Sequence, residues 1–577
     1  MIIDARTIDQ DDELETDVCI VGAGLAGITL AREFIGSDFR VALLESGGFE
    51  PDEATVSLSQ GESVGQPYDR LDGARYRGFG GNSRTWHVDL GDSDTGVRLC
   101  PLDAIDFEAR DWLPHSGWPF DLRHLEPYYA RAHEVFKIGP YAYDPATWSD
   151  PRTTPILPLP SGRVESTMFQ FGRGDVFFDE YRTEVLRSSN VTAYLYANVL
   201  GLDTGGGGQR VDRVRIGCLP GGTFVFLPAG GALHRTRVAP LPKSEFSVKA
   251  RIVILAAGGT ENPRLLLLSD AVHQHGIGNQ HDLVGRFFME HAHLWSGKIV
   301  PSDPQLLDEV DLYRIHTAAG VPVMAKLTLT DETLRRERLP NYCVSIHPHT
   351  FAPKGVESAG RLASGIRRRT VPRDVGQHLL NVVTGVTDVS RKVQQKLTTR
   401  ITRGPRKRVD DRNAVRGFRL NHMSEQVPNP GSRVTLADDR DALGLPRVRL
   451  DWRLSPLDIR TIIRAQEIID EELRRANLGY LQIDLDDDTP PRSIHGGWHH
   501  MGTTRMHRDP RQGVVDEHSK VHDVANLYVT GSSVFPTVGY ANPSLTICAL
   551  ALRLADRIKE EMASGSVTIE EKMDLVT

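Results

Sequence analysis

The sequence predicts an α/β fold, and three stretches near its start predict it. Residues 17–22, Asp-Val-Cys-Ile-Val-Gly, form a short apolar, partly β-branched run closed by glycine, the pattern of a buried strand. Gly22-Ala23-Gly24-Leu25-Ala26-Gly27 follows and opens a helical run through Ala31, Phe34 and Ile35. A second strand, Val41–Leu44, then ends in Glu45. Strand, glycine turn, helix, strand and acid in that order mark a Rossmann-like dinucleotide-binding unit. Gly22, Gly24 and Gly27 let backbone approach a pyrophosphate resting on the helix N-terminus, and the Glu45 carboxylate bonds ribose hydroxyls. An acid at that place suits an adenosine ribose without a 2′-phosphate.

Further elements follow in order. Arg77-Gly78-Phe79-Gly80-Gly81-Asn82-Ser83 is a second glycine-rich segment able to lie against a flat or anionic group. Ala197-Asn198-Val199-Leu200 reads as an edge strand, and Gly205–Gly208 as a hairpin loop. Val248–Leu255 is a strand leading into the small-residue turn Ala256–Pro263, with a helix at Arg264–Leu268. The middle of the chain, roughly 296–498, alternates strand-like pieces such as Pro322–Leu327 and Tyr342–Ile346. A Pro-Asn-Pro-Gly turn lies between strands in Asn421–Leu436. Asn526–Ser533 is an apolar strand-like segment near the end. Asp484–Asp488 is a solvated loop.

At 577 residues the chain exceeds one core. The expected division is a discontinuous dinucleotide domain (12–100, 185–295 and 500–563), an inserted antiparallel-sheet-plus-helices substrate domain (101–184 and 296–499), and a tail (564–577). Five cysteines, an odd number without a CxxC pair, argue against a disulfide framework or a zinc site and for a reducing compartment. The expected location is cytoplasmic: Met1–Arg6 shows no basic region before an apolar stretch, and no run approaches a membrane span. The net charge of −8 is uneven. Residues 354–408 carry fourteen Lys/Arg against three acids, or +11, leaving −8 − 11 = −19 for the rest. Nucleic acid is therefore not an expected partner; the basic insert, with a helical stretch at Val386–Leu397, reads as a solvated cationic face, a mobile lid, or a docking surface for an anionic partner such as a redox subunit or lipid head groups.

These pieces resemble the glucose-methanol-choline (GMC) flavin oxidoreductases over about residues 15–560. The likeness rests on the Gly22–Gly27 fingerprint with Glu45, on Gly80-Gly81-Asn82-Ser83, on the Ala256–Pro263 turn and on Val284–His291. Its most specific part is His499-His500-Met501-Gly502-Thr503-Thr504-Arg505-Met506 with Tyr540-Ala541-Asn542-Pro543-Ser544. Within the family, the Arg-x-x-Gly-Gly-x-Ser pattern before Trp86 and the C-terminal block are similar to pyranose oxidases and bacterial glycoside 3-oxidases and 3-dehydrogenases. The resemblance implies FAD rather than NAD, with Val199, Ala257, Ser532, Ala541 and Ser544 joining the glycine segments around it. Where fungal pyranose oxidases tether the flavin through histidine this chain has Thr85, so FAD is expected to be non-covalent.

Oxidising an alcohol with a flavin requires loss of the hydroxyl proton and transfer of hydride from the carbinol carbon to flavin N5. A neutral imidazole suits the first task, and an amide can hold the substrate oxygen. The resemblance assigns these roles to His499 and Asn542, with His500 facing another way; His495 and His507 receive no role. The implied reaction is oxidation of a secondary alcohol of a sugar or glycoside to a ketosugar, with oxygen or a separate redox protein as electron acceptor. The alternatives are oxidation of a non-sugar alcohol, choline-type or aliphatic, and a non-oxidative flavoprotein lyase.

Overall fold

The apolar run Val18–Val21 needs partners on both edges and cover on both faces, and the first sheet supplies them. The computed structural model describes residues 1–91, 96–229, 232–241, 244–303, 310–349, 358–359, 362–363, 375–384, 386, 417–485 and 489–564. The first sheet holds β1 (Ile2–Asp4), β2 (Glu13–Val21), β3 (Val41–Glu45), β7 (Val191–Leu195), β8 (Asn198–Thr204), β9 (Val211–Cys218), β12 (Ser244–Leu255) and β21 (Leu527–Val529). Their order is β1-β7-β3-β2-β12-β9-β8, with β21 also pairing β12. The central pairs β7–β3–β2–β12–β21 are all parallel. That arrangement explains why β3 and the second half of β2 are buried continuously rather than in alternation. β8 lies at the sheet edge and joins β9 through the glycine run, as expected from the sequence.

The helix Leu25–Glu33 packs its buried stretch Ala26–Ala31 beside the long C-terminal helix Ser544–Ala563. A second helix spans Gly258–Leu268, starting earlier than the Arg264 read from sequence although Pro263 lies inside it. Proline supplies no N–H for the carbonyl four residues back. Here Thr503 Oγ1 donates to that carbonyl, Gly259 O, at 2.6 Å, so the acceptor is not left empty.

The second sheet holds β5 (Gly96–Leu99), β6 (Val164–Arg173), β13 (Ala292–Pro301), β14 (His316–Ala318), β15 (Val321–Leu329), β16 (Tyr342–His349), β17 (Gly417–Ser424) and β20 (Gly479–Gln482). It is antiparallel throughout, in the order β20-β13-β17-β16-β15-β6-β5, with β14 on β15. A three-stranded sheet of β4 (Gly61–Gly65), β18 (Arg433–Arg440) and β19 (Pro446–Trp452), and a hairpin of β10 (Gly221–Ala229) and β11 (Ala232–Leu241), complete the strands. Pairing crosses the expected spans in three places, the first being β4, within 12–100, beside β19, within 296–499. β1 precedes residue 12 yet extends the first sheet beside β7, and β5 falls within 12–100 yet pairs with β6 in the second.

Helix Pro456–Arg475, opened by a Ser455/Asp458 capping box, covers the back of the second sheet. Leu294, Val344, Ile346 and Leu420 pack there with Ile459, Ile462 and Ile469. Alternate residues of the same strands, including Met324, Cys343, Met423 and Phe169, join the core of the first sheet instead. The second sheet thus turns one face to its own helix and the other to the dinucleotide-type domain. Within the basic insert, a helix spans Val375–Thr384. The stretch read as helical at 386–397 lies outside the described residues beyond position 386, as do residues 486–488 of the acidic loop. Among the described residues no helix is long and apolar enough to cross a membrane.

One buried ion pair ties the segment before the first large helix of the insert to β17. Arg110 donates to both oxygens of Glu425 at 2.6 and 2.9 Å, and Asn341 N donates to the same carboxylate at 2.7 Å. Both side chains are inaccessible, so removing one partner strands a charge in the interior. Glu425→Ala is expected to destabilise the fold by about 3–5 kcal/mol, read as a lowered urea midpoint; a midpoint unchanged from wild type would show that the pair is not holding the sheet in place.

Candidate active site

Two glycine segments meet backbone to backbone at the first site. Gly22 has φ of 107°, and a Cβ there would come within 2.7 Å of Ala256 O. A Cβ on Gly81 would fall 2.8 Å from Gly24 Cα, and one on Gly27 would sit 1.8 Å from Gly22 O. Only glycine permits these approaches. Gly24 is the N-cap of the first helix and offers no side-chain cap, so the first-turn amides remain open. Glu45 Oε2 accepts from Ala23 N and Oε1 from Gly47 N, both at 2.9 Å, fixing the carboxylate at the end of β3.

A cavity of about 580 Å³ runs along this cradle. Gly22, Gly24 and Glu45 line it at the fingerprint, and Gly81, Asn82, Ser83, Val199 and Ala257 line its length. Ser532, Asn542, Ser544 and His499 also line it. Gly27, Gly80 and Ala541 do not reach it; Gly27 acts by letting helix and turn close up, and Gly80, at φ of 100°, shapes the second glycine turn. Asn82 works on its own loop, its Oδ1 accepting from Tyr76 N at 2.8 Å and its Nδ2 donating to Ala74 O at 3.2 Å. Ser532 Oγ donates to His500 O at 2.6 Å and so pins the histidine pair to the end of β21.

His499 and Asn542 come together from segments 43 residues apart, Asn542 Nδ2 lying 3.2 Å from His499 Nε2. Sequence reasoning missed the group behind them. His499 Nδ1 lies 2.9 Å from Nδ1 of His291, whose Nε2 faces Val538 O at 3.4 Å. A carbonyl can only accept, so His291 carries its proton on Nε2 and accepts at Nδ1. His499 then donates from Nδ1, which leaves its Nε2 lone pair pointing at Asn542. The protonation pattern follows from one backbone carbonyl. Burial, followed by the neighbouring histidines, holds the His499 imidazole well below its ordinary pKa, and burial brings His291 down to about 4.

Glu290, beside His291 in the chain, holds the turn that presents the base. Its Oε2 accepts from His499 N at 2.9 Å and Gly497 N at 3.0 Å, while Tyr68 OH donates to Oε1. Trp498 between them adopts φ of 60°, a left-handed conformation that a bulky residue rarely takes without such anchoring. His500 turns the other way, its Nε2 2.8 Å from Tyr68 OH. His495, without a role on sequence position, stacks on His293 and lines the cavity; His507 instead accepts from Asp509 N. Asn542 Oδ1 is buried and unpartnered, which suits a donor from a bound molecule.

Comparison with known proteins shows what the chain is similar to. Residues 428–551 match the family described as GMC oxidoreductase, in its C-terminal part. The fructose dehydrogenase large subunit of Gluconobacter japonicus is 24% identical over 615 residues, covering 96% of this chain and 100% of that one. Residues 428–551 are a GMC oxidoreductase C-terminal domain. A second GMC relative, the C-glycoside 3-oxidase of Arthrobacter globiformis, is 36% identical over 132 residues, 22% of this chain and 24% of that protein. The fold resembles formate oxidase from Aspergillus oryzae, with a TM-score of 0.51 and 16% identity over 96% of this chain and 99% of that one. These matches support an FAD-dependent oxidoreductase acting on CH–OH donors, and the open helix N-terminus, glycine cradle and fixed Glu45 fit that cofactor.

Burial pushes the Glu290 carboxyl up to about 7 against the bonds from Tyr68 and the turn. As pH rises through 7 it ionises and its three accepted bonds strengthen, while His499 stays neutral on both sides. The rate of anaerobic flavin reduction is expected to rise through an inflection near pH 7 that Glu290→Gln removes; an inflection surviving in that variant would assign it elsewhere.

Proposed function

We propose that this chain oxidises a secondary alcohol of a sugar or glycoside to the ketosugar. The observation that carries the reading is the His499 Nε2 lone pair, presented beside Asn542 Nδ2 in the same cavity that passes the dinucleotide fingerprint. The fructose dehydrogenase and C-glycoside 3-oxidase relatives support a carbohydrate substrate.

FAD, when bound, supplies the two-electron acceptor for the hydride leaving the carbinol carbon. The chain's own residues do the rest. Asn542 Nδ2 holds the substrate oxygen, and the hydroxyl proton passes to His499 Nε2 as the C–O bond gains double-bond character. His499 must be neutral to take that proton, and burial keeps it so. The imidazolium that results donates from Nδ1 to His291, whose position against Val538 O keeps the ring from turning. The uncapped N-terminus of helix Ser544–Ala563 adds favourable potential for negative charge developing over the cofactor site. The electron acceptor in this reading is oxygen or a separate redox protein.

FAD is held non-covalently in this reading. Thr85 takes the place of a tethering histidine, and its hydroxyl donates to Asn82 O at 2.8 Å. His87 lines the cavity but packs edge-on against Trp498.

His499→Ala is expected to slow flavin reduction by sugars about 10²–10⁴-fold with FAD still bound, and Asn542→Ala to slow it less; a His499 variant reducing at the wild-type rate would remove it as the base. Acid precipitation should leave the protein pellet colourless and release FAD to the supernatant, whereas yellow colour in the pellet would demonstrate a covalent link.

A further inference from the structure

The wall facing His499 is built by the pleat of the second sheet. Directly paired residues share a face, and the register runs Arg98↔Phe171 between β5 and β6, then Lys326↔Thr167 between β6 and β15. Thr328↔Cys343 carries the same face to β16, His347↔Arg419 to β17, and Met423↔His293 to β13. That face therefore presents Arg98, Lys326, His347, Arg419 and His293, and the one carboxylate at its paired positions, Glu165 opposite Thr328, is exposed at the other end of β6 from the Arg98 pairing.

Arg98 differs from the other cations on this wall because it lines the cavity that also contains His499 and Asn542. Its Nε is buried and unpartnered, and among the described residues no carboxylate pairs with it. Its nearest aromatic neighbour is Phe171, at 5.8 Å from the ring centre. The acids that could have neutralised it are committed elsewhere. Asp69 accepts from Trp498 Nε1 at 2.9 Å, and Glu290 is taken by Tyr68 and the 497–499 turn. Lys326 behind it, fully buried, faces Cys343 Sγ at 3.6 Å and the Phe169 ring at 4.3 Å. A half-buried guanidinium at a cavity wall, with its Nε withdrawn from water and no counter-ion, is best satisfied when the bound state supplies an anion.

We infer that the substrate carries a carboxylate, which pairs with the Arg98 guanidinium while its hydroxyl is held by His499 and Asn542. A planar guanidinium matches a carboxylate in two parallel bonds, and while the cavity-lining Arg75, Arg77 and Arg264 are paired with Glu261 and Asp441, Arg98 is left to balance one negative charge. The substrate class is then a sugar acid or an acidic glycoside. This rests on the carbohydrate reading above and narrows it.

The test compares a glycoside whose C6 is a carboxylate with its counterpart whose C6 is an alcohol, by anaerobic flavin reduction of the holoenzyme. The wild type is expected to favour the acid by about 10- to 100-fold in limiting rate over apparent Kd. Arg98→Met should collapse that ratio towards unity, and Arg98→Lys should retain part of it. FAD content and melting temperature identify a variant that fails to fold, in which case the lysine variant carries the comparison. Cyclohexanecarboxylate, which has no hydroxyl to oxidise, should perturb the flavin spectrum of wild type and not of Arg98→Met. A wild type that prefers the neutral glycoside, or a methionine variant with an unchanged ratio, overturns the inference while leaving the carbohydrate reading standing. If neither glycoside reduces the flavin, the carbohydrate reading fails, and the cyclohexanecarboxylate titration alone decides whether Arg98 binds a carboxylate.

Discussion

A buried carboxylate with every acceptor position spoken for is an anchor, and Glu290 is the anchor on which the candidate site depends. It joins three parts of the chain far apart in sequence: Tyr68 near the dinucleotide fingerprint, the start of β13, and the turn at 497–499. Its own amide donates to Gln426 Oε1, which also accepts from Trp452 Nε1, so the anchor extends into the three-stranded sheet. The left-handed Trp498 is tolerable because the residues on both sides of it donate to the same carboxylate. Without that anchor the two histidines would have no reason to point in opposite directions.

From this point the chemistry follows a line of hydrogen bonds rather than a single residue. Val538 O settles His291, His291 settles His499, and His499 presents its lone pair to Asn542. Each step uses a donor or acceptor that has no other choice. A neutral base held in one tautomer needs little rearrangement when a hydroxyl arrives, which is the useful part of such preorganisation.

The sequence made some of this plain and hid the rest for physical reasons. The fingerprint was legible because all its parts are local: glycines demanded by backbone contact, a strand before them and an acid at the next strand end. His499 and Asn542 were legible through resemblance alone, since neither residue type nor spacing marks a base. His291 was not legible as a partner, because its contact with His499 spans 208 positions and depends on how β13 enters its sheet. Arg98 was hidden for the same reason: it reaches the cavity only through register carried across five strand pairs. The early start of the helix at Gly258 was missed because Pro263 reads as a breaker until Thr503 is seen to replace the missing donor.

The second sheet has a bearing on how such an enzyme could change over time. Its back positions, among them Leu294, Val344 and Leu420, are committed to the helix at 456–475, while the positions between them turn to the other domain, where Met324, Cys343 and Met423 join its core and Arg98 reaches the cavity. Period-two alternation therefore divides one set of strands into a face packed on its own helix and a face turned to the other domain and, at β5, to the cavity. Substitutions at the cavity-lining positions of β5 leave the helix-facing core untouched, and effects at sites that share no contacts are close to additive. A lineage on this scaffold could alter what it binds one alternate residue at a time, without first acquiring a reserve of stability to absorb the change.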